Sequence, residues 1–274
     1  MNWKTVFCIV LLAFPFALAA QTDVALDSEL GGRMTVSMDK KIIKGLHLTL
    51  EEEARMNNNF SDFNRLQTTA GLQYKILPNI KIGFSYALIT PYNNTDNCFK
   101  TPRHRFMLDA SGSLHFDDWQ LSLRERLQLT HRTGEFNIYQ NPANLIHLKS
   151  RLVLKYKGLR RLTPYAGIEV RHFLNAPVIN AQYNGSVYLT EDYTVKGEPG
   201  WFLEGFNGCY ANRFRASLGT EYRLDKRNKI EACLLLDYVN DKVVDANAEG
   251  TKLKRYTRER GFVGQFCLSY NYSF

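Results

Sequence analysis

The sequence predicts an all-β fold, an antiparallel transmembrane β-barrel of about 10–12 strands with short periplasmic turns and long outer loops. Three observations support this prediction. Apolar and polar residues alternate along many segments, and short and long connections between these segments follow one another in turn. After residue 20, no apolar run reaches the roughly 18 residues that a transmembrane helix needs.

Alternation is the strongest of these signals. Between residues 44 and 56, the even positions include Leu46, Leu48 and Leu50, whereas the odd positions are polar or charged. The predicted strands are longer than the roughly 5–6 residues of an average soluble strand, and they suit a tilted crossing of a bilayer. There are eleven such segments: 24–38, 44–56, 65–76, 80–90, 103–116, 119–131, 145–156, 162–174, 213–224, 229–240 and 261–274.

Connection lengths then orient the barrel. Residues 77–79, 117–118, 158–161 and 225–228 are short and are predicted periplasmic turns, and the long segments 91–102, 132–144, 175–212 and 241–260 are predicted outer loops. A two-residue turn at 117–118 requires Phe116 to face Trp119, and the apolar positions do change from even to odd there. The predicted periplasmic aromatic belt contains Phe116, Trp119, Tyr74, Tyr156, Tyr222 and Tyr272.

The N-terminal residues resemble a secretory signal peptide. Lys4 precedes an apolar run over residues 6–18, and small residues lead to Ala19 and Ala20 before Gln21. The run is shorter than the roughly 20 residues needed to span a bilayer as a helix. We therefore expect two parts, a signal peptide over 1–20 and an outer-membrane barrel domain over 21–274, exported to the outer membrane of a Gram-negative bacterium.

The C-terminal strand ends with Tyr270, Tyr272 and Phe274 at alternate positions. This pattern is typical of the signal by which the barrel-assembly machinery recognises its substrates, so we expect that machinery as a partner during biogenesis. Counted back from this end, segment 24–38 would begin on the outer side, whereas bacterial single-chain barrels have an even strand number. Either the segment lies outside the wall, which leaves ten strands, or one strand has been missed and there are twelve.

If apolar positions face lipid, the opposite parity fills the lumen with charge. The inward set has sixteen cations: Arg33, Arg55, Arg65, Lys75, Lys81, Arg103, Arg105, Arg124, Arg126, Lys149, Arg151, Lys155, Arg171, Arg213, Arg215 and Arg223. It has nine carboxylates: Asp27, Glu29, Glu51, Glu53, Asp109, Glu169, Glu221, Glu231 and Asp237. The candidates for lining the lumen are Glu51, Glu53, Arg55, Arg65, Arg103, Arg105, Arg124, Arg126, Arg151, Glu169, Arg171, Arg213, Arg215 and Glu221.

Two interpretations of this set can coexist. One is an interstrand lattice of salt bridges that fills a narrow, porin-like barrel; the other is an electropositive lumen that passes or binds small anions. Both give a barrel that is not an enzyme. The alternative is an outer-membrane lipid-modifying enzyme, but Asp109 and His115 would be about 20 Å apart on one strand. Ser113 and His115 would point away from lipid, so no catalytic residue is assigned.

Metals, cofactors and nucleic acid are not expected. The histidines and cysteines lack the spacing of metal ligands. The net charge of +8 comes from cations spread over many strands rather than grouped on one element. Expected partners are outer-membrane lipid and lipopolysaccharide, which the basic residues of segment 241–260 could contact, and the oligomeric state is left open.

Four cysteines follow the signal peptide, and two of them lie on the last two predicted strands. If Asn240 pairs with Arg260, a constant index sum of 500 also places Cys233 opposite Cys267. A register slip of two would separate them. Cys233 and Cys267 are thus candidates for contact, and for a disulfide only if their geometry allows it.

Several strand patterns resemble a known family. These are residues 46–55, residues 123–127 with Leu-Arg-Glu-Arg-Leu, the strand start at Pro164 and Tyr165, and residues 212–222. They are similar to the outer-membrane β-barrel family catalogued as domain of unknown function 2490, over nearly the whole chain after the signal peptide. The resemblance implies the fold and the outer-membrane location, and it supplies no catalytic residue.

Overall fold

The computed structural model describes residues 24–25, 29–134, 137, 140, 142–183, 186–187, 200–247 and 253–274. The predicted signal peptide and Asp27 lie outside the described residues. The strands are β1 (Val24–Ala25), β2 (Glu29–Ile43), β3 (Leu46–Asn57), β4 (Asp62–Leu77), β5 (Ile80–Asn93), β6 (Cys98–Phe99), β7 (Arg103–Phe116), β8 (Trp119–Arg132), β9 (Asn144–Tyr156), β10 (Leu162–Tyr183), β11 (Ser186–Val187), β12 (Gly200–Arg223), β13 (Asn228–Ala246) and β14 (Leu253–Ser273).

Eleven of these strands form a closed wall. Their order is β2-β3-β4-β5-β7-β8-β9-β10-β12-β13-β14, and β14 pairs back to β2. The short strands β6 and β11 pair with β5 and β10, and β1 runs along β14 ahead of β2. The prediction of an all-β barrel of this size is confirmed. No helix in the described part of the chain is long and apolar enough to cross a membrane.

The closing pair is parallel. Residues Val263 to Ser273 of β14 pair in the same direction with Glu29 to Asp39 of β2, whereas the other neighbouring wall strands are antiparallel. This pairing corrects the expectation of an even strand number. The segment that contains β2 does start at the same end of the barrel as β14, and a parallel seam lets an odd number of strands close.

The wall has two chemically different faces. On β2 to β7, the even-numbered side chains point outward and include exposed Val36, Phe84 and Leu108; on β8 the outward positions become odd, as at Leu123 and Leu127. Inward side chains are buried or half-buried along the middle of the barrel, and polar Thr130 and Asp237 are among the most enclosed. An apolar outer surface around a polar interior is the arrangement that lets a barrel lie in a bilayer.

One end of the barrel, here called the turn end, holds five short connections, which span 44–45, 78–79, 117–118, 157–161 and 224–227. The four-residue connection 58–61 is also short but lies at the opposite end. Phe116 pairs with Trp119 across the Asp117–Asp118 turn as predicted, and the Trp119 ring lies 4.9 Å from that of Tyr156. In the last turn, hydrogen bonds from the Asn228 side chain and from backbone amides hold the pKa of Asp225 below its ordinary value.

The other end, here called the loop end, differs from the prediction. Much of the predicted outer loops at 175–212 and 241–260 is strand, because β10, β12, β13 and β14 continue well beyond the segments that show alternation. Their outer parts still pair with one another; Val243 lies opposite Thr257, for example. The sequence shows no regular alternation of apolar and polar residues there, so that signal could not predict these strand parts.

Candidate functional site in the lumen

A cavity of about 410 Å³ occupies the centre of the lumen. It is lined by inward side chains of strands from all sides of the barrel. Every second residue of a strand points inward, so one strand can contribute several of them. Eleven cationic side chains line the cavity: Arg33, Arg55, Arg65, Arg105, Arg124, Arg126, Lys149, Arg151, Arg171, Arg213 and Arg215. Four carboxylates do so: Glu51, Glu53, Glu169 and Glu231.

A second cavity of about 290 Å³ adjoins the first toward the turn end. Arg124, Arg151, Tyr165 and Glu231 line both cavities, whereas Glu221 lines only the second. Ser122 and Gln120 give this space a less charged wall. Both spaces therefore lie between charged and polar side chains that project into the lumen.

Asp237 holds the most enclosed ion pair. Its side chain is 1% exposed, and Arg215 binds it with two parallel hydrogen bonds of 2.5 and 2.7 Å. Arg213 lies 3.4 Å from the same carboxylate. The fork of one arginine thus matches both carboxylate oxygens, which is the strongest common form of charge-assisted hydrogen bond.

Other carboxylates are shared in the same way. Glu53 lies 2.5 Å from Arg55 and 3.3 Å from Arg33. Asp109 accepts two hydrogen bonds from Arg126, at 2.6 and 3.0 Å. Further contacts join Glu221 to Lys155 at 2.5 Å and to Lys229 at 3.4 Å, and Glu169 to Arg124 and Arg215 at 3.8 Å each.

Carboxylates do not reach every cation of the central cavity. Within the described residues, Arg65, Arg105, Lys149 and Arg151 have no ion pair within 4.0 Å. Arg105 instead donates hydrogen bonds to Thr130 at 3.1 Å and to Gln67 at 3.3 Å. The salt-bridge lattice of the described residues is therefore incomplete, and the four cations without an ion pair lie on β4, β7 and β9.

The structure places most of the predicted lumen residues together. Twelve of the fourteen candidates line the central cavity, Glu221 lines the second, and Arg103 lines neither because it begins β7 near the loop end, opposite Arg132. Lys149 and Arg33 belong to the cavity although they were not among the candidates. So do neutral residues such as Gln67 and Gln128, which inward parity alone could have identified.

Cys233 and Cys267 lie directly opposite each other on β13 and β14, and both are free thiols that line the central cavity. Beside them, the Tyr165 ring covers Gly219, where an added Cβ would come within 2.7 Å of the ring and 2.5 Å of the Cys233 Cβ. Gly219 is thus needed for this close packing, and Tyr165 donates a 2.5 Å hydrogen bond to Glu231 across it.

The residues considered for catalysis are not brought into a site. Asp109 is held by Arg126, and His115 lies exposed near the turn end, opposite Gln120. Within the described residues, no group of three or more histidine, cysteine or acidic side chains is placed to hold a metal ion. The arrangement that the lumen does present is a set of fixed positive charges, which can attract and hold anions.

A closed wall with an apolar outer surface and a charge-filled interior defines the class of transmembrane β-barrels. The chain belongs to the family described as "Protein of unknown function (DUF2490)", whose family model matches residues 34–248. The resemblance seen in the sequence is thereby confirmed. No curated protein matches the chain.

Solved structures of outer-membrane proteins are similar in a general way. The NanC porin is 10% identical with a TM-score of 0.40, over 90% of this chain and 99% of that one. OmpT of Vibrio cholerae is 9% identical with a TM-score of 0.35, over 80% and 62%. The ferric-catecholate import receptor Fiu from E. coli K12 is 10% identical with a TM-score of 0.20, over 78% and 51%.

Proposed function

We propose that this chain is an outer-membrane barrel whose narrow, basic lumen passes or binds small anions, without a catalytic step of its own. The observation that carries the proposal is the excess of cations in the central cavity, eleven against four carboxylates. In a narrow space with low-dielectric walls, such an excess raises the local concentration of anions and repels cations.

The proposal includes a route and a location. A signal peptide over residues 1–20 exports the chain, and the barrel-assembly machinery inserts it through the C-terminal residues Tyr270, Tyr272 and Phe274. The apolar outer surface contacts lipid, and the turn end faces the periplasm. Lipopolysaccharide then surrounds the loop end.

The size of the passage follows from the filling of the lumen. Barrels with 16–18 strands leave a wide aqueous channel, whereas eleven strands with long inward arginines leave the two small spaces described above. We therefore expect a small conductance that favours anions, and no large unselective pore.

Purified protein in a planar bilayer tests this expectation. With a salt gradient, the reversal potential should show a preference for chloride over potassium. Replacing Arg124 and Arg126 with serine should widen the passage and weaken the preference, because both side chains line the central cavity. A large cation-selective conductance would contradict the proposal. Negligible conductance together with chemical change of added phospholipid or lipopolysaccharide would favour the lipid-modifying alternative.

A further inference from the structure

Four cationic side chains form a row across four neighbouring strands. Arg126 of β8 lies directly opposite Lys149 of β9, Lys149 is opposite Arg171 of β10, and Arg171 is opposite Arg213 of β12. Like charges that face each other across strands are destabilising, because their Cβ atoms are only about 4.5–5.5 Å apart. The row therefore needs negative charge close by.

Protein carboxylates supply that charge at the two sides of the row. Arg126 is bound by Asp109 at 2.6 Å, and Arg213 is 3.4 Å from Asp237. Arg171 lies 4.0 Å from Asp241. Within the described residues, Lys149 has a cation on each side and no carboxylate within 4.0 Å, and Glu169 acts on it only from beyond that distance.

Two further cations without an ion pair face the same cavity. Arg105 and Arg65 line the cavity together with Lys149, and the hydrogen bonds of Arg105 go to the neutral side chains of Thr130 and Gln67. The Nε atom of Arg65 is buried and has no hydrogen-bond partner. Inside the lumen, water or a bound anion can accept a hydrogen bond from this group.

We propose that Lys149, Arg105 and Arg171 bind a small polyvalent oxyanion in the central cavity, with Arg65 beside them. The proposal rests on the proposed function and names the chemical class of its ligand. Guanidinium groups bind phosphate or carboxylate oxygens through pairs of hydrogen bonds, and an ammonium group adds a point charge. A ligand with two or more negative charges would neutralise the middle of the row, where Lys149 has no ion pair within 4.0 Å among the described residues.

The size of the site selects a soluble ligand. A cavity of about 410 Å³ is near the lower end of the range, about 300–1,000 Å³, in which proteins bind small molecules. The lining residues point into the lumen, away from the lipid-facing surface that a lipopolysaccharide headgroup would approach. Pyrophosphate is a suitable probe because it is small, soluble and polyvalent.

The test uses the full exported chain in detergent micelles, free of lipopolysaccharide. Pyrophosphate is titrated by calorimetry, and chloride at the same ionic strength serves as the monovalent comparison. We expect saturable binding of pyrophosphate with a rise in the unfolding temperature, and no saturable binding of chloride. Lys149→Gln should weaken binding about tenfold or more, the loss expected for one charged hydrogen bond, and Arg105→Gln should act similarly.

Two control variants make this test specific. Arg103→Gln removes a positive charge from the same strand as Arg105 but outside the cavity, and it should leave binding unchanged. Lys149→Arg keeps the charge and should retain most of the affinity. Equal binding by wild type and Lys149→Gln, or equal losses in Lys149→Gln and Arg103→Gln, would overturn the site.

Further outcomes separate this site from the proposed pore. Saturable pyrophosphate binding that depends on Lys149, in a barrel that does not conduct, would support the site and contradict anion conduction. An anion-selective conductance with no saturable binding would support the pore and overturn the site. If lipopolysaccharide bound and pyrophosphate did not, the soluble ligand class would be wrong.

Discussion

Asp237 is a single carboxylate that compensates two cations of this lumen. It is almost fully enclosed, and it is the ion-pair partner of both Arg215 and Arg213. Charges taken out of water lose their hydration, so each depends on its partner and on complete hydrogen bonding. Removing this carboxylate would take away the 3.4 Å partner of Arg213 and leave Arg215 with the weaker 3.8 Å contact to Glu169.

We predict that Asp237→Asn destabilises the folded barrel by about 3 kcal/mol or more, the usual cost of breaking a buried ion pair. Asp39→Asn is the matched control, since the Asp39 side chain is 38% exposed and, among the described residues, forms its ion pair with His47 near the turn end. It should cost less than about 1 kcal/mol. Urea unfolding of the protein refolded into lipid vesicles measures both values. Equal effects of the two variants would contradict the burial argument.

For single residues, the sequence predicted the direction in which a side chain points better than the residue with which it pairs. Parity placed Arg105, Lys149 and Asp237 inward, since a strand alternates strictly between its two faces. It could not show that Asp237 is doubly bound while Lys149 has no ion pair. Which charges meet depends on the register of strands and on side chains that cross the lumen, and neither is encoded in one segment.

The last hairpin, β13 and β14, is an element whose register can be tested chemically. Cys233 and Cys267 are directly opposite each other. Such pairs have Cα atoms about 4.5–5.5 Å apart, which is within the roughly 4.4–6.8 Å that disulfides span. Both thiols are free and line the central cavity.

We predict that diamide converts this pair to an intramolecular disulfide in a variant with Cys98 and Cys209 replaced by serine. The two thiols lose two hydrogens to the diazene, which is reduced to the hydrazine, and the sulfurs bond. Mass spectrometry should show the protein lighter by two hydrogens. In the control, Cys267→Ser with Leu268→Cys moves one thiol to the outward face, and no bridge should form. Failure of Cys233 and Cys267 to bridge would contradict the register.

Strand lengths were predicted well where the wall has an apolar outer face and poorly for the strand parts that extend beyond it. Segments 80–90 and 103–116 closely match β5 and β7 because one side faces lipid and the other the lumen. The outer parts of β10 and β12 show no such alternation of apolar and polar residues, so the sequence predicts loops there. Strand pairing through backbone hydrogen bonds does not need an apolar face, and composition alone gives no sign of it.

For the whole molecule, closure depends on the parallel seam between β2 and β14. Arg33 donates a 3.0 Å hydrogen bond to Gln265 across it, and Ser37 bonds to Asn271. At the turn end, the Phe274 amide donates to the Asp39 carbonyl at 2.9 Å, and the Lys40 ammonium lies over the Phe274 ring. Phe274 thus helps to hold the two ends of the wall together.

We predict that deleting Phe274 lowers the yield of folded, heat-modifiable barrel in cells and leaves protease-sensitive chains. Phe274→Tyr keeps an aromatic terminus and should insert nearly normally. Refolding of the deleted chain into detergent separates two causes. Normal refolding assigns the defect to recognition by the assembly machinery, whereas failure assigns it to the lost seam contacts. Normal yield in cells after the deletion would contradict both roles.

The sequence could not predict how the wall closes. Alternation identified the eleven segments, and the connection lengths gave their directions, but pairing between segments more than 200 residues apart leaves no local pattern. The expectation of an even number came from other barrels rather than from these residues. The parallel seam satisfies the backbone of β2 and β14 as fully as an antiparallel one, so nothing in either strand distinguishes the two.

An odd number of strands also changes what the barrel connects. An even-stranded wall returns its first and last residues to the same compartment. Here β2 starts toward the loop end, and Phe274 lies at the turn end. A peptide joined ahead of Glu29 would therefore emerge on one side of the membrane, and a peptide joined after Phe274 would emerge on the other. The wall thus connects two chain ends that lie in different compartments.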